Sequence, residues 1–442
     1  RYLSKNTFGM YNYFIAFSTI VLTILFNGFT PIYLRNKLFA SDNPQSNKVL
    51  YNQILLFFFT LLIIFNIIFK ITENAVDINI QIILLNIFLI SGFFHHIVLQ
   101  EVRSQKKFFN LSLILFLERF IFLLIVIFVY TKKINLHIIL IYVIFYVFFT
   151  AFILIFTKSI RRFLFIKVDK FIFNNLKVLI FSYFKNSFSI LTNNLANQSF
   201  LIFIVGYLIS LEQSADIAIA FQLLSIIIFS VIWVELILPI KYMDLIKKND
   251  LDGFNIFFKN KVTKYYLIII FFSTIYLELL SRTNLIEFLF TDKYTDSIHE
   301  ISILSIVAIS QCFEIFISWY LLSFKKETTL MKISIIKLIT FFIFLIFGNY
   351  DVILFGFAIS FVFYFIIGFS YMKKHISSFD FYTIGYFYFL FVIYNILKYL
   401  SIISISEIIL FILISSSVVY IIANIKIYYF ELKNLLNLNG NN

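Results

Sequence analysis

The chain reads as an all-α, polytopic membrane protein, and three features of its 442 residues lead there. Apolar residues make up 61% and charged residues 13%, where a soluble domain runs about 45–50% and about 25%. Mean hydropathy is +0.96, more than a globule of this size can hide from water. Three prolines and ten glycines leave long unbroken apolar runs, each near the ~20 residues that a helix needs to cross ~30 Å of hydrocarbon. The same figures exclude a soluble enzyme, a secreted disulfide scaffold and a disordered chain. The lone cysteine, Cys312, lies inside an apolar run and supplies no disulfide framework.

Charged residues mark off the spans in order. They are Tyr11–Leu34, Val49–Phe69, Ile78–Leu99, Leu111–Tyr130, His137–Thr157, Val178–Gly206 and Asp216–Ile240. Tyr265–Leu280, Ile298–Phe324, Ile333–Phe347, Val352–Tyr371, Gly385–Leu400 and Ile405–Ile427 follow, about 13 in all. No stretch between them is long enough for a soluble domain. Most of the 36 Lys and Arg fall in the loops after the odd-numbered spans and at the C-terminal end, among them Arg103, Lys106 and Lys107, then Lys158, Arg161 and Arg162. The opposite side holds Arg1, Lys5, Lys70, Lys132, Lys133, Arg282, Lys293 and Lys398. The basic side is expected to face the cytoplasm, so the net charge of +13 belongs to membrane topology and calls for no nucleic acid. This orientation leaves residue 1 outside. A further helix ahead of this sequence, giving about 14 spans with both ends inside, is the expected arrangement; an N-out protein is the alternative.

The most basic loop, Lys158–Lys177, interleaves Phe163, Phe165, Phe171 and Ile172 with cations. It reads either as an interfacial helix or as a simple positive-inside anchor. It divides the chain into an expected N-terminal bundle over 1–170, a second bundle over 171–378, and a helix pair with a tail over 379–442. With the additional first helix, each bundle has six spans, the plan of many secondary transporters.

Ionisable residues inside spans cost about 2.5–3.5 kcal/mol each at mid-helix on insertion scales and usually face protein or a wet cavity. Lys185 shares a helical face with Ser182, Ser189, Asn193 and Asn197, and Asn194 and Gln198 widen the stripe. Such a face lines a cavity; snorkelling to headgroups is the competing account for Lys185 alone. Glu314, with Gln311 and Ser318 on the same face, is a candidate to carry a proton or sodium ion, to balance Lys185, or to make a structural hydrogen bond. Glu118 and Arg119 are adjacent within one span. Glu235 is placed at the inner mouth, and Lys337, near the start of its span, is expected to be an anchor. Glu278 and Asp351 lie close to the outer surface and are given no role. His95 and His96 are neighbours and point to different faces, so no metal or cofactor site is assigned. Nucleotide-binding and metalloprotease motifs are missing from the sequence.

Short motifs bring in a family. Arg1-Tyr2-Leu3 and Phe8-Gly9-Met10-Tyr11, opening a span that ends at Arg35, resemble the segment after the first helix in Wzx-type polysaccharide flippases. Those exporters share a superfamily with the MATE-like drug antiporters and the lipid II flippase. Phe290-Thr291-Asp292-Lys293-Tyr294-Thr295-Asp296-Ser297 resembles that family's outer loop, usually Phe-Gly-x-x-Tyr-x-x-Ser, and Pro239 has a familiar place. Ser4 and Thr291 depart from the pattern, each standing where a glycine is common. The resemblance implies a multi-pass protein of the bacterial cytoplasmic membrane, with its C-terminus inside, that moves undecaprenyl-pyrophosphate-linked oligosaccharide by alternating access. It also implies a polysaccharide polymerase and a chain-length regulator as partners beside the lipid bilayer. Lys185 and Arg119 then become candidates for the pyrophosphate, and Asn193, Asn197 and Gln198 for sugar. Glu314, Glu235 and Glu118 are candidates for ion coupling. The alternatives are a cation-coupled small-molecule exporter and a membrane enzyme such as a polymerase. The outer loop Ser281–Ser297 is too short to carry a catalytic centre, and no enzyme is expected.

Overall fold

The computed structural model describes residues 4–27, 54–67, 79–105, 108–131, 138–156, 197–227, 253, 262–283, 297–324, 326–375 and 381–437. These residues are helical almost throughout, and among them there is no strand. The protein is an all-α polytopic membrane protein. Its helices are α1 (Lys5–Leu22), prolonged by one π turn at Thr23–Asn27, α2 (Ile54–Ile67), α3 (Asn79–Ser104), α4 (Phe108–Thr131) and α5 (Ile138–Phe156). Next come α6 (Gln198–Leu208), α7 (211–227), α8 (Thr263–Arg282) and α9 (Ser297–Ser323). The series ends with α10 (Glu327–Leu345), α11 (Tyr350–His375), α12 (Phe381–Tyr399) and α13 (Ile403–Asn437).

Lipid offers no partner for backbone or hydroxyl groups, so both must be satisfied within the helices. Ser18 and Thr19 donate to the carbonyls of Phe14 and Ile15 at 2.7 and 2.8 Å, and Thr274 donates to that of Ile270 at 2.8 Å. Several helix starts are capped by side chains. The Ser4 hydroxyl accepts from the Thr7 amide at 3.1 Å. Ser210 does the same for Gln213 at 3.1 Å, starting α7 two residues after α6 ends.

Buried apolar side chains gather in one large core contributed by α6 to α13, and in three smaller clusters among α1 to α5. Phe8 and Ile20 of α1 pack on the large core, and α1 lies along α6 and α7. Tyr13 and Phe17 both stack on Phe203, at 5.2 and 5.5 Å between centroids. A Cβ at Gly9 would overlap the carbonyl of Leu211, so only glycine lets α1 approach that closely. On α4 the apolar side chains Phe109, Phe116, Phe120, Leu123 and Ile127 are exposed, the face a lipid-immersed helix presents outward.

Contacts between helix ends follow an alternating up-and-down path. On one face, the Tyr399 hydroxyl donates to Asp351 at 2.8 Å and the Tyr350 hydroxyl donates to Glu300 at 2.9 Å. On that face too, Lys5 pairs with Asp216 at 2.8 Å. Glu278, expected to have no role, is the hub there: it accepts from Arg282 at 2.6 Å, from Lys398 at 2.8 Å and from the Tyr394 hydroxyl, tying α8 to α12. On the opposite face, Arg103 lies 5.0 Å over the Trp319 ring, Lys326 5.4 Å over Tyr371, and Lys373 bonds Tyr382 at 3.2 Å.

The helices depart from the sequence reading in where they start. The helix expected at Ile333 begins six residues earlier, at Glu327, because Glu327 through Lys332 continue the helix outward from the apolar run. The last helix runs 35 residues, Ile403–Asn437, of which Ile403–Tyr420 is the apolar window.

Candidate functional site

Among the described residues, two clusters of ionisable side chains sit at mid-helix depth, one among α1 to α5 and one among α6 to α13. In the first, α3, α4 and α5 converge with α1. His95 on α3 is 3% exposed, and its Nε2 lies 3.4 Å from the Glu118 carboxylate on α4. The imidazole packs 5.2 Å from the Tyr146 ring on α5. Tyr142, also on α5, meets Tyr11 of α1 edge-on at 5.7 Å. Arg119 follows Glu118 in sequence and therefore points about 100° further around α4. Its guanidinium is within electrostatic range of Glu118, Tyr142, Tyr11 and Tyr146. Unlike Glu118, which is buried, Arg119 is exposed, and it forms no hydrogen bond or ion pair among the described residues. An exposed arginine at the middle of a span, within electrostatic range of three phenols, presents N–H donors that no described residue takes up.

The second cluster joins α9, α10 and α11. Lys337 Nζ lies 2.8 Å from Glu314 Oε1, with Lys337 0% and Glu314 7% exposed. The ammonium also rests 4.4 Å from the Phe361 ring and 5.1 Å from that of Tyr364. Lys337 is thus a buried ion-pair partner and not the membrane anchor expected. The cause is the early start of α10, which moves Lys337 from the end of its span to the middle. The polar stripe of α9 divides among three neighbours: Gln311 accepts from Gln198 of α6 at 3.1 Å, Glu314 takes Lys337 of α10, and Ser318 meets the Tyr364 hydroxyl of α11 at 3.3 Å.

Of the residues singled out from the sequence, Arg119 and Glu118 share one site, and Gln198 of α6 and Lys337 of α10 meet neighbouring residues, Gln311 and Glu314, of the α9 stripe. Asn197 caps α6, its side-chain oxygen accepting from the Phe200 amide at 3.0 Å. Lys185, Asn193 and Glu235 lie outside the described residues. Sequence reasoning missed His95 as the partner of Glu118, since it weighed His95 only against its neighbour His96. Among the described residues no three His, Cys, Asp or Glu side chains gather closely enough to hold a metal ion.

No family model, no curated protein and no solved structure matches this chain.

Proposed function

We propose that this protein is a flippase that carries undecaprenyl-pyrophosphate-linked polysaccharide repeat units across the cytoplasmic membrane. The observation that carries the reading is Arg119, an exposed cation at mid-span with no hydrogen-bond or ion-pair partner among the described residues. A buried or structural arginine would be paired; this one offers a planar donor fork of the kind that grips phosphate oxygens. Tyr11, Tyr142 and Tyr146 around it supply hydroxyls and ring faces suited to a sugar. The polyprenyl tail stays in the bilayer, so only the head group requires a hydrated path. The motifs shared with Wzx-type exporters and the alternating helices support the same reading. The Glu314–Lys337 pair is the candidate for ion coupling, because separating or protonating it changes the charge balance inside the second helix group.

The test is surface polysaccharide in the native host. Arg119→Gln is expected to lower it by about tenfold or more while the amount of protein in the membrane, measured by immunoblot, stays unchanged. Normal surface polysaccharide in that variant refutes the assignment. Export of cationic dyes by reconstituted protein, with no movement of lipid-linked glycan, would instead favour the small-molecule exporter.

A further inference from the structure

Glu118 has two cationic suitors. On one side stands His95, whose Nε2 is 3.4 Å away; on the other is Arg119, next in sequence and within electrostatic range but outside ion-pair distance. The charge of this small site depends on a single proton. With His95 neutral, Glu118 and Arg119 cancel and the site has no net charge. With His95 protonated, the imidazolium takes Glu118 as its ion-pair partner and Arg119 is left as an uncompensated cation. In a low-dielectric surrounding that difference is felt strongly by any anion.

We propose that His95 and Glu118 form a proton switch on Arg119, so that protonation of His95 turns a neutral intramembrane site into a monocationic one that captures a pyrophosphate diester. The proposal rests on the reading of Arg119 as an anion site. Imidazole is the side chain that ordinarily changes charge near neutral pH. Here its second nitrogen, Nδ1, is buried with no hydrogen-bond partner among the described residues. Among the described residues the titratable groups around it come from three neighbouring helices. Glu118 of α4 and Tyr146 of α5 lie against the ring itself, while Arg119 of α4, Tyr142 of α5 and Tyr11 of α1 join it through their electrostatic range of Glu118 and of one another. His96 of its own helix sits 6.3 Å away, ring to ring. Helix α2, packed on α3 through Phe58 against Phe93, contributes no titratable side chain. Coupling is reciprocal: whatever factor the proton adds to anion affinity, the anion adds to proton occupancy.

The test uses the purified full chain in lipid nanodiscs and UDP-glucose, a soluble pyrophosphate diester whose phosphates do not ionise further between about pH 5.5 and about pH 8. Wild-type affinity, measured by isothermal titration, is expected to rise about tenfold from the higher pH to the lower. His95→Gln is expected to bind weakly, and His95→Lys tightly, at both pH values, while His96→Gln keeps the wild-type response. Should the His95 variants fail to fold, Glu118→Gln gives the same information, with tight binding expected already at about pH 8. Equal wild-type affinity at both pH values, or an unaltered pH response in the His95 variants, overturns the switch and leaves the anion site standing. Wild-type protein that binds no UDP-glucose at either pH, or Arg119→Gln that binds as wild type does, overturns both.

Discussion

Lys337 and Glu314 illustrate how a buried pair behaves differently from its parts. Each charge taken out of water costs several kcal/mol, and only the partner offsets it. Lys337→Met alone leaves Glu314 as a buried, uncompensated carboxylate, and Glu314→Gln alone strands the ammonium among Phe361 and Tyr364. Each single change is expected to cost about 3–5 kcal/mol, and the double change much less. Thermal unfolding in detergent of the four proteins of this cycle measures it; equal, additive losses would show that the pair is not coupled. The same residues show what the sequence can reveal. The stripe Gln311, Glu314, Ser318 was legible as a polar face, because helical spacing is written in the chain. Its three partners were not, because which helix lies against which is decided by packing between segments far apart. Lys337 was misplaced for a local reason, since charge at Glu327 and Lys332 looks like a loop when the helix runs on through it. His95 was set aside because spacing along one helix shows nothing of the carboxylate on the next.

At the scale of elements, polar contacts choose the neighbours that apolar surfaces alone leave undecided. In lipid, one leucine face is as acceptable as another, so small residues and interhelical hydrogen bonds select partners. Asn66 of α2 and Asn86 of α3 exchange amide bonds at 2.8 and 2.7 Å, a reciprocal pair that fixes the register of these two helices. Replacing either by leucine is expected to cost about 1 kcal/mol, read as a lower unfolding temperature; no change would mean that apolar packing, such as Phe58 on Phe93, holds the two helices without the amide pair. Gly9 makes the complementary case on α1. Gly9→Leu is expected to push α1 off α7, breaking the Lys5–Asp216 pair above it, and Gly9→Ala to do so less. Loss of cross-linking between cysteines placed at 5 and 216 measures this, and unimpaired cross-linking in Gly9→Leu would contradict it. The helical, membrane-spanning character and the rough extent of the nine long apolar helices among the described residues could be read from hydropathy, but the start of α7 needed attention to Ser210 and Gln213, whose spacing is that of a helix cap.

For the molecule as a whole, orientation follows from charge. The face carrying Arg103, Lys326 and Lys373 is expected to be cytoplasmic and the face carrying Glu278, Arg282 and Lys398 external. With Cys312 fully buried, cysteines introduced at Arg282 and Lys373, both exposed, report the two sides cleanly to an impermeant maleimide in intact cells. Labelling at 282 alone is expected, and labelling at 373 alone would invert the topology.

Helix α13 adds a mechanical consequence. At 1.5 Å per residue its 35 residues extend about 52 Å, whereas the hydrocarbon layer is ~30 Å deep. The apolar part, Ile403–Tyr420, uses about 27 Å of that. The remaining turns form a rod that is carried past the lipid, so any tilt of α13 within the bilayer is magnified at its far end. A probe attached there would swing through an arc larger than the movement at the membrane surface, making the tail a natural pointer for motions of the helix pair.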